Sequence, residues 1–362
     1  MLGFVHKLTH LETLGLAVLV AVGASGAADA FTRIGFVWSS CPNCTGTYTP
    51  DSRYTWNSLG GTTTITNVGT GEYTVDFVGL YSAAHWTNVQ VSAYGTSGYC
   101  TIARWNAEGG GAAAEMYVRC FDASAHLATS HFTLLYQQRS LPFGSANVGA
   151  AFLWGDCGSS SCTPDFPYNY NSTGGTNTIV HNSAGNYSVT IPGLTKTGGD
   201  VQVTAYGNKP ARCITTGWSS SSGGTRIGVQ CYNSSGAAAD EYYSLAYTIG
   251  LPFGVDGSTT PGAYAWANMP ESTSPYTPAP LYQIDTFSNG ILMASKIGTG
   301  QYSVSLPPSI VTSSNVLVTG YNTGGGYCNV GAWSTLTIIV DCYGQGGGLR
   351  DSKFDVSFNT TF

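Results

Sequence analysis

Residues 88–100 read NVQVSAYGTSGYC, and two near-copies follow, DVQVTAYGNKPARC at 200–213 and NVLVTGYNTGGGYC at 315–328. In the first copy Val89, Val91 and Ala93 recur at every second position, the period of a strand with one buried face. The similarity extends outward on both sides. Thr49-Pro50, Thr163-Pro164 and Thr277-Pro278 lie 114 residues apart each time, and GEYTVDFVGL, GNYSVTIPGL and GQYSVSLPPS align between those anchors and the opening stretch. A repeat at a fixed offset sets the organisation before any single residue is considered. The copies run over 31–140, 141–250 and 251–362, with LPFG at 141–144 and 251–254 punctuating the junctions.

Period-two spacing also marks Tyr73/Val75/Phe77, Met116/Val118/Cys120 and Phe132/Leu134/Tyr136, and helical spacing is absent after residue 30. Seven or eight short strands per copy, separated by Gly, Ser and Asn turns, predict an all-β chain. The expected architecture is three tandem antiparallel β-sandwiches, jelly-roll-like, each folding as its own unit.

Charged residues make up only 9% of the chain, so its polar surface rests on Gly, Ser, Thr, Asn and Tyr. The 13 Lys and Arg are scattered and the net charge is −6, which excludes nucleic acid as a partner. Apolar residues at 42% supply enough area for packed cores, so the low charge does not signal disorder.

The N-terminus has the form of an export leader over 1–30: Lys7 precedes the apolar run LGLAVLVAVGA at 14–24, and Ala28 and Ala30 give a small-x-small cleavage site. That run is shorter than the roughly 20 residues of a membrane span, and no transmembrane segment is expected in the mature chain, which is read as secreted. The ten cysteines fit that compartment. Cys100 with Cys120, Cys213 with Cys231 and Cys328 with Cys342 fall one pair to a copy, while Cys41 with Cys44 and Cys157 with Cys162 form two local pairs. All are expected as disulfides, each repeated pair closing a loop worth roughly 3 kcal/mol.

Six of the eight tryptophans form two repeated columns, Trp38/Trp154/Trp266 and Trp105/Trp218/Trp333. Trp105 lies five positions after Cys100, so regular alternation puts it on the opposite face of the strand. Trp105, Trp218 and Trp333 are therefore candidate ligand platforms. Trp86 and His85 belong to a two-residue insertion found only in the first copy, and a loop aromatic there is the expected singular contact.

Other motifs carry less. WGDCGSSSC at 154–162 lacks a base beside its cysteine, and CPNC at 41–44 lacks a second metal-binding pair, so both read as local disulfides. His126 and His131 read as exposed loop histidines. Asp240 and Asp351 occupy matching positions where the first copy has Thr129, and read as turn caps rather than catalytic acids. Sequons begin at Asn171, Asn186, Asn233 and Asn359. No catalytic residue, metal site or cofactor is assigned.

The pattern G-x-Y-x-V-x-hydrophobic-x-G-L, V-x-V-T-A-Y-G, C, W, V-x-C, F-x-x-x-Y, seen here from Gly185 to Tyr247, resembles tandem repeats in secreted proteins of Gram-positive and gliding bacteria. The resemblance implies a surface or matrix protein and carries over no functional residue. The leading expectation is a secreted repeat protein that binds a cell surface or polymer, a glycan foremost, through loops and exposed aromatics. A self-associating extracellular matrix protein is the alternative, and a secreted hydrolase the third.

Overall fold

The computed structural model describes residues 33–81, 86–108, 113–139, 148–254, 261–308, 312–322 and 324–361. The leader at 1–30, His85 and the first LPFG lie outside them. The first copy supplies β1 (Arg33–Trp38), β2 (Gly46–Tyr48), β3 (Thr55–Asn57), β4 (Thr63–Gly69), β5 (Glu72–Val78), β6 (Trp86–Tyr94), β7 (Tyr99–Glu108), β8 (Ala113–Phe121) and β9 (His131–Arg139). The second supplies β10 (Gly149–Gly155), β11 (Asn169–Asn171), β12 (Thr178–Ser183), β13 (Asn186–Pro192), β14 (Asp200–Tyr206), β15 (Arg212–Ser221), β16 (Gly224–Tyr232) and β17 (Tyr242–Ile249). The third supplies β18 (Gly262–Ala267), β19 (Gln283–Asp285), β20 (Met293–Gly298), β21 (Gln301–Ser305), β22 (Ser313–Tyr321), β23 (Tyr327–Trp333), β24 (Thr337–Tyr343) and β25 (Lys353–Thr361). The all-β expectation holds.

Each copy encloses its own apolar core between two layers. In the first, Tyr73, Val75 and Phe77 of β5 and Met116, Val118 and Cys120 of β8 face Val89 and Val91 of β6 and Phe132, Leu134 and Tyr136 of β9. The other two cores are built the same way. All five expected disulfides are present and no cysteine is free. The repeated pairs join directly opposed residues of neighbouring strands, with Cα atoms 4.0–4.1 Å apart.

The sandwiches are not separate: their sheets run on from one copy into another. Each sheet takes four strands from one copy and four or five from another: β20-β21-β24-β23 continues into β6-β9-β1-β3, β11-β10-β17-β14 into β7-β8-β5-β4-β2, and β12-β13-β16-β15 into β22-β25-β18-β19. Copy one thus joins copy two, two joins three, and three joins one. The ring closes about a pseudo-threefold axis.

Closure explains the polar residues of the repeated stretch. Strands β6, β14 and β22 have their apolar alternate residues in the cores, yet the other face is buried as well: Asn88, Gln90 and Ser92 are 0–6% exposed, and so are Asp200, Gln202 and Thr204. A buried strand edge must satisfy its amides. The Val91 amide donates to Thr204 Oγ1 at 3.1 Å, Val203 to Thr319 Oγ1 at 2.9 Å, and Val318 to Ser92 Oγ at 2.9 Å. Each copy's hydroxyl therefore holds the edge of another. The hydroxyls also donate, Thr204 to Gln90 Oε1 and Thr319 to Gln202 Oε1. Ser92 donates to the Val318 carbonyl, as Thr204 also does to that of Val91, and the position matching Gln90 and Gln202 is Leu317 in the third copy.

Two carboxylates sit in this interior. Asn88 Nδ2 donates to Ser244 Oγ at 2.7 Å, and the equivalent positions one copy further on are Asp200 and Asp355, both 0% exposed. Burial pushes Asp200 up to about 7 despite a hydrogen bond from Gln202. Burial, and then the charge of Asp200, hold Asp355 well above the ordinary carboxylate range. An aspartic acid whose folded value exceeds its unfolded value of about 3.9 keeps its proton better when folded. Its contribution to stability is complete below about pH 4 and is lost as the pH rises toward 7. Asp200→Asn, which installs the residue that the other copies have, is expected to stabilise the protein at pH 8 by up to about 4 kcal/mol, about three units at about 1.4 kcal/mol each, and to change little at pH 4. Thermal melts at the two pH values check this, and a variant that is destabilised at pH 8 contradicts it.

Candidate functional site: the aromatic junctions

Where two copies meet, a single parallel pairing joins the half-sheets: Tyr206 with Ile102, Tyr321 with Thr215, and Tyr94 with Val330. One hydrogen bond marks each, from Gly207 to Ile102 (2.9 Å), Asn322 to Thr215 (2.9 Å) and Gly95 to Val330 (2.8 Å). Just past that pairing, β7, β15 and β23 each carry a register shift, at Ile102/Arg104, Thr215/Gly217 and Val330/Ala332. A bulge inserts one residue and reverses the facing of all that follow.

The bulge corrects the expected orientation of the second tryptophan column. Trp105 does not take the face opposite Cys100. It packs into the same core as Cys100 and Ile102 and is 7% exposed. Trp218 and Trp333 are half-buried against the cores of their own copies. Their indole N–H groups are occupied: Trp105 donates to Thr87 Oγ1 at 3.1 Å, Trp218 to the Gly198 carbonyl at 2.8 Å and Trp333 to Ser314 Oγ at 3.0 Å.

The turn of the chain also brings the two tryptophan columns together across copies. Trp105 meets Trp154 (6.4 Å between centroids), Trp218 meets Trp266 (5.9 Å) and Trp333 meets Trp38 (6.1 Å). Two tyrosines complete each set. Tyr206, Tyr321 and Tyr94 end β14, β22 and β6, and their rings lie 5.0–5.9 Å from both tryptophans. Tyr168, Tyr282 and Tyr54, 114 residues apart in sequence, lie 5.1–5.5 Å from the same pairs. Most contacts are edge-to-face, the geometry that aromatic quadrupoles favour. Burial raises the phenols of Tyr94, Tyr168, Tyr206 and Tyr321, so these rings stay neutral.

One position differs among the three clusters. At the start of β9, β17 and β25 stand His131, Tyr242 and Lys353. His131 stacks on Trp38 at 5.3 Å and its Nδ1 lies 2.5 Å from the Ser39 carbonyl, so it is no exposed loop histidine. Tyr242 meets Trp154 edge-on at 6.0 Å and is 43% exposed. Lys353 Nζ lies 5.8 Å from the rings of Trp266 and Tyr321.

The remaining candidates fall elsewhere. Trp86 is not a free loop aromatic: it opens β6 and packs on Tyr170 (5.6 Å) and Phe166 (5.5 Å) of the second copy. Asp240 accepts from the Gly185 amide (2.7 Å) and His181 Nε2 (2.8 Å), and Asp351 accepts from the Gly300 amide (2.7 Å), the turn-capping role expected of them. Asp156 lies beside Cys157 and Cys162, but both sulfurs are spent in their disulfide. Of the sequon asparagines, Asn171 and Asn359 are buried. No protein-family model matches the chain, and no curated protein or solved structure does.

Trp105→Ala removes a buried ring from the first core and its junction at once. It is expected to cost about 3–5 kcal/mol, read as a lower melting temperature. A loss within about 0.5 kcal/mol, the range of surface sites, contradicts the placement.

Proposed function

We propose that this is an extracellular binding protein whose three aromatic junctions engage a polymeric glycan. The observation that carries this reading is the threefold recurrence of one Trp-Trp-Tyr-Tyr frame, partly exposed in each junction, with a different residue at the outer position each time. Flat, neutral aromatic faces suit the apolar side of a sugar ring, and a charge-poor surface suits an uncharged ligand. Three weak sites on one rigid ring bind a repeating polymer with an avidity that none has alone. Five disulfides and a leader-like N-terminus support the compartment.

The sheet edges speak for binding over self-association. The edge hairpins β12-β13 and β20-β21 each carry a bulge, at His181/Ser183 and Lys296/Gly298, and so does the equivalent hairpin β4-β5, at Asn67/Gly69, which β2 flanks. The edge strands β2, β3, β11 and β19 are three residues long. Bulged and short edges are devices against strand addition from another chain.

The reading is tested by a glycan array followed by titration of the best ligand, monitored through tryptophan fluorescence. Tyr242→Ala, at an exposed position, is expected to leave thermal stability within about 1 kcal/mol of the parent while lowering polymer avidity about tenfold. An array without binding, or a Tyr242→Ala variant with unchanged avidity, contradicts the proposal.

A further inference from the structure

Away from the aromatic junctions, the pseudo-threefold axis holds a buried cation that makes no ion pair among the described residues. The residues just before Cys100, Cys213 and Cys328 are Tyr99, Arg212 and Tyr327. The Arg212 guanidinium is held between the other two, with its central carbon 5.0 Å from each ring centroid, and the residue is 4% exposed. Nη1 donates to the Gln345 carbonyl at 3.2 Å. Among the described residues, Nε and Nη2, the two donors along one edge of the fork, have no acceptor at hydrogen-bonding geometry, although the Tyr327 hydroxyl lies close enough to feel the guanidinium. Asp122, whose charge reaches both tyrosines, has one carboxylate oxygen taken by the amides of Ser124 and His126 and the other paired with the His126 ring at 3.5 Å.

Arg212 lines a cavity of about 50 Å³ on the axis, together with Ser92, Thr204, Thr319 and Asn329. That volume exceeds the roughly 10–15 Å³ needed for one water. The three hydroxyls already receive the valine amides, and Asn329 Nδ2 donates to the carbonyls of Thr96 and Gly98. Arg212 is thus the lining residue with buried, unspent donors. A buried cation is costly unless paired, and paired Nε–H and Nη2–H groups match an anion bidentately.

We propose that this cavity binds one small monovalent anion, of the size of chloride or formate, on the Nε–Nη2 edge of Arg212. The anion neutralises the axis at the level of the hydroxyl ring and so ties the three copies together from within. Because it binds only the closed ring, it raises the stability of the folded chain by mass action.

Crystals of the full chain soaked in sodium bromide are expected to show one anomalous peak within hydrogen-bonding distance of Arg212 Nε and Nη2. In solution, replacing sodium gluconate, too large for the cavity, with sodium chloride or formate at equal ionic strength is expected to raise the melting temperature by about 2 °C. Arg212→Gln is expected to abolish that shift. Water alone beside Arg212 in the bromide-soaked crystal, a melting temperature indifferent to the anion, or a shift that survives in Arg212→Gln overturns the assignment. Should Arg212→Gln fail to fold, the bromide map of the parent decides.

Discussion

Three hydroxyl-to-amide contacts hold the architecture closed. Strands β6, β14 and β22 bring edges into the interior at the axis, and an amide buried there without a partner costs about 1–3 kcal/mol. Ser92, Thr204 and Thr319 each satisfy the valine amide of another copy, so no copy completes its own edge. This cyclic dependence turns three sandwiches into one body. It also accounts for the residue types at the alternate positions of the repeated stretch, where the amides of Asn88, Gln90 and Gln202 continue the network between copies.

The aromatic junctions follow from the same closure. Among the described residues the half-sheets join through one parallel pair each, and the bulge beyond it turns the following tryptophan inward. The gap between the diverging strands is filled by two tryptophans and two tyrosines drawn from consecutive copies. Those rings therefore have two duties, sealing the joint and, in the proposed function, presenting flat apolar faces. The duties fall on different residues within each cluster. Trp105 is buried and serves the joint, whereas Tyr242 stands out from it.

Much of this was legible in the sequence, for physical reasons that also mark the limits. Tyr73, Val75 and Phe77 announce their strand because one face is apolar and the other polar, and the cysteines announce their bonds by falling one pair to a copy. Ring closure was hidden because Asn88 and Gln90 look the same whether their face meets water or a polar interior. Simple alternation puts Trp105 on the wrong face because its bulge depends on pairing with β8; the glycines at Gly217 and Gly331, within the equivalent bulges, are the available signal. The tyrosines at Tyr54, Tyr168 and Tyr282 were visible at a constant spacing, but only the fold shows that each meets tryptophans from two copies.

The central claim, that the copies complete one another, is tested most directly by the second copy alone. A chain covering 151–250, oxidised and purified, should be examined by light scattering and circular dichroism. With the edges of β14 and β15 left open, the account expects no folded monomer: the fragment either assembles, most simply as a closed trimer of itself, or fails to fold. A soluble, monomeric, cooperatively melting β-sandwich would contradict it.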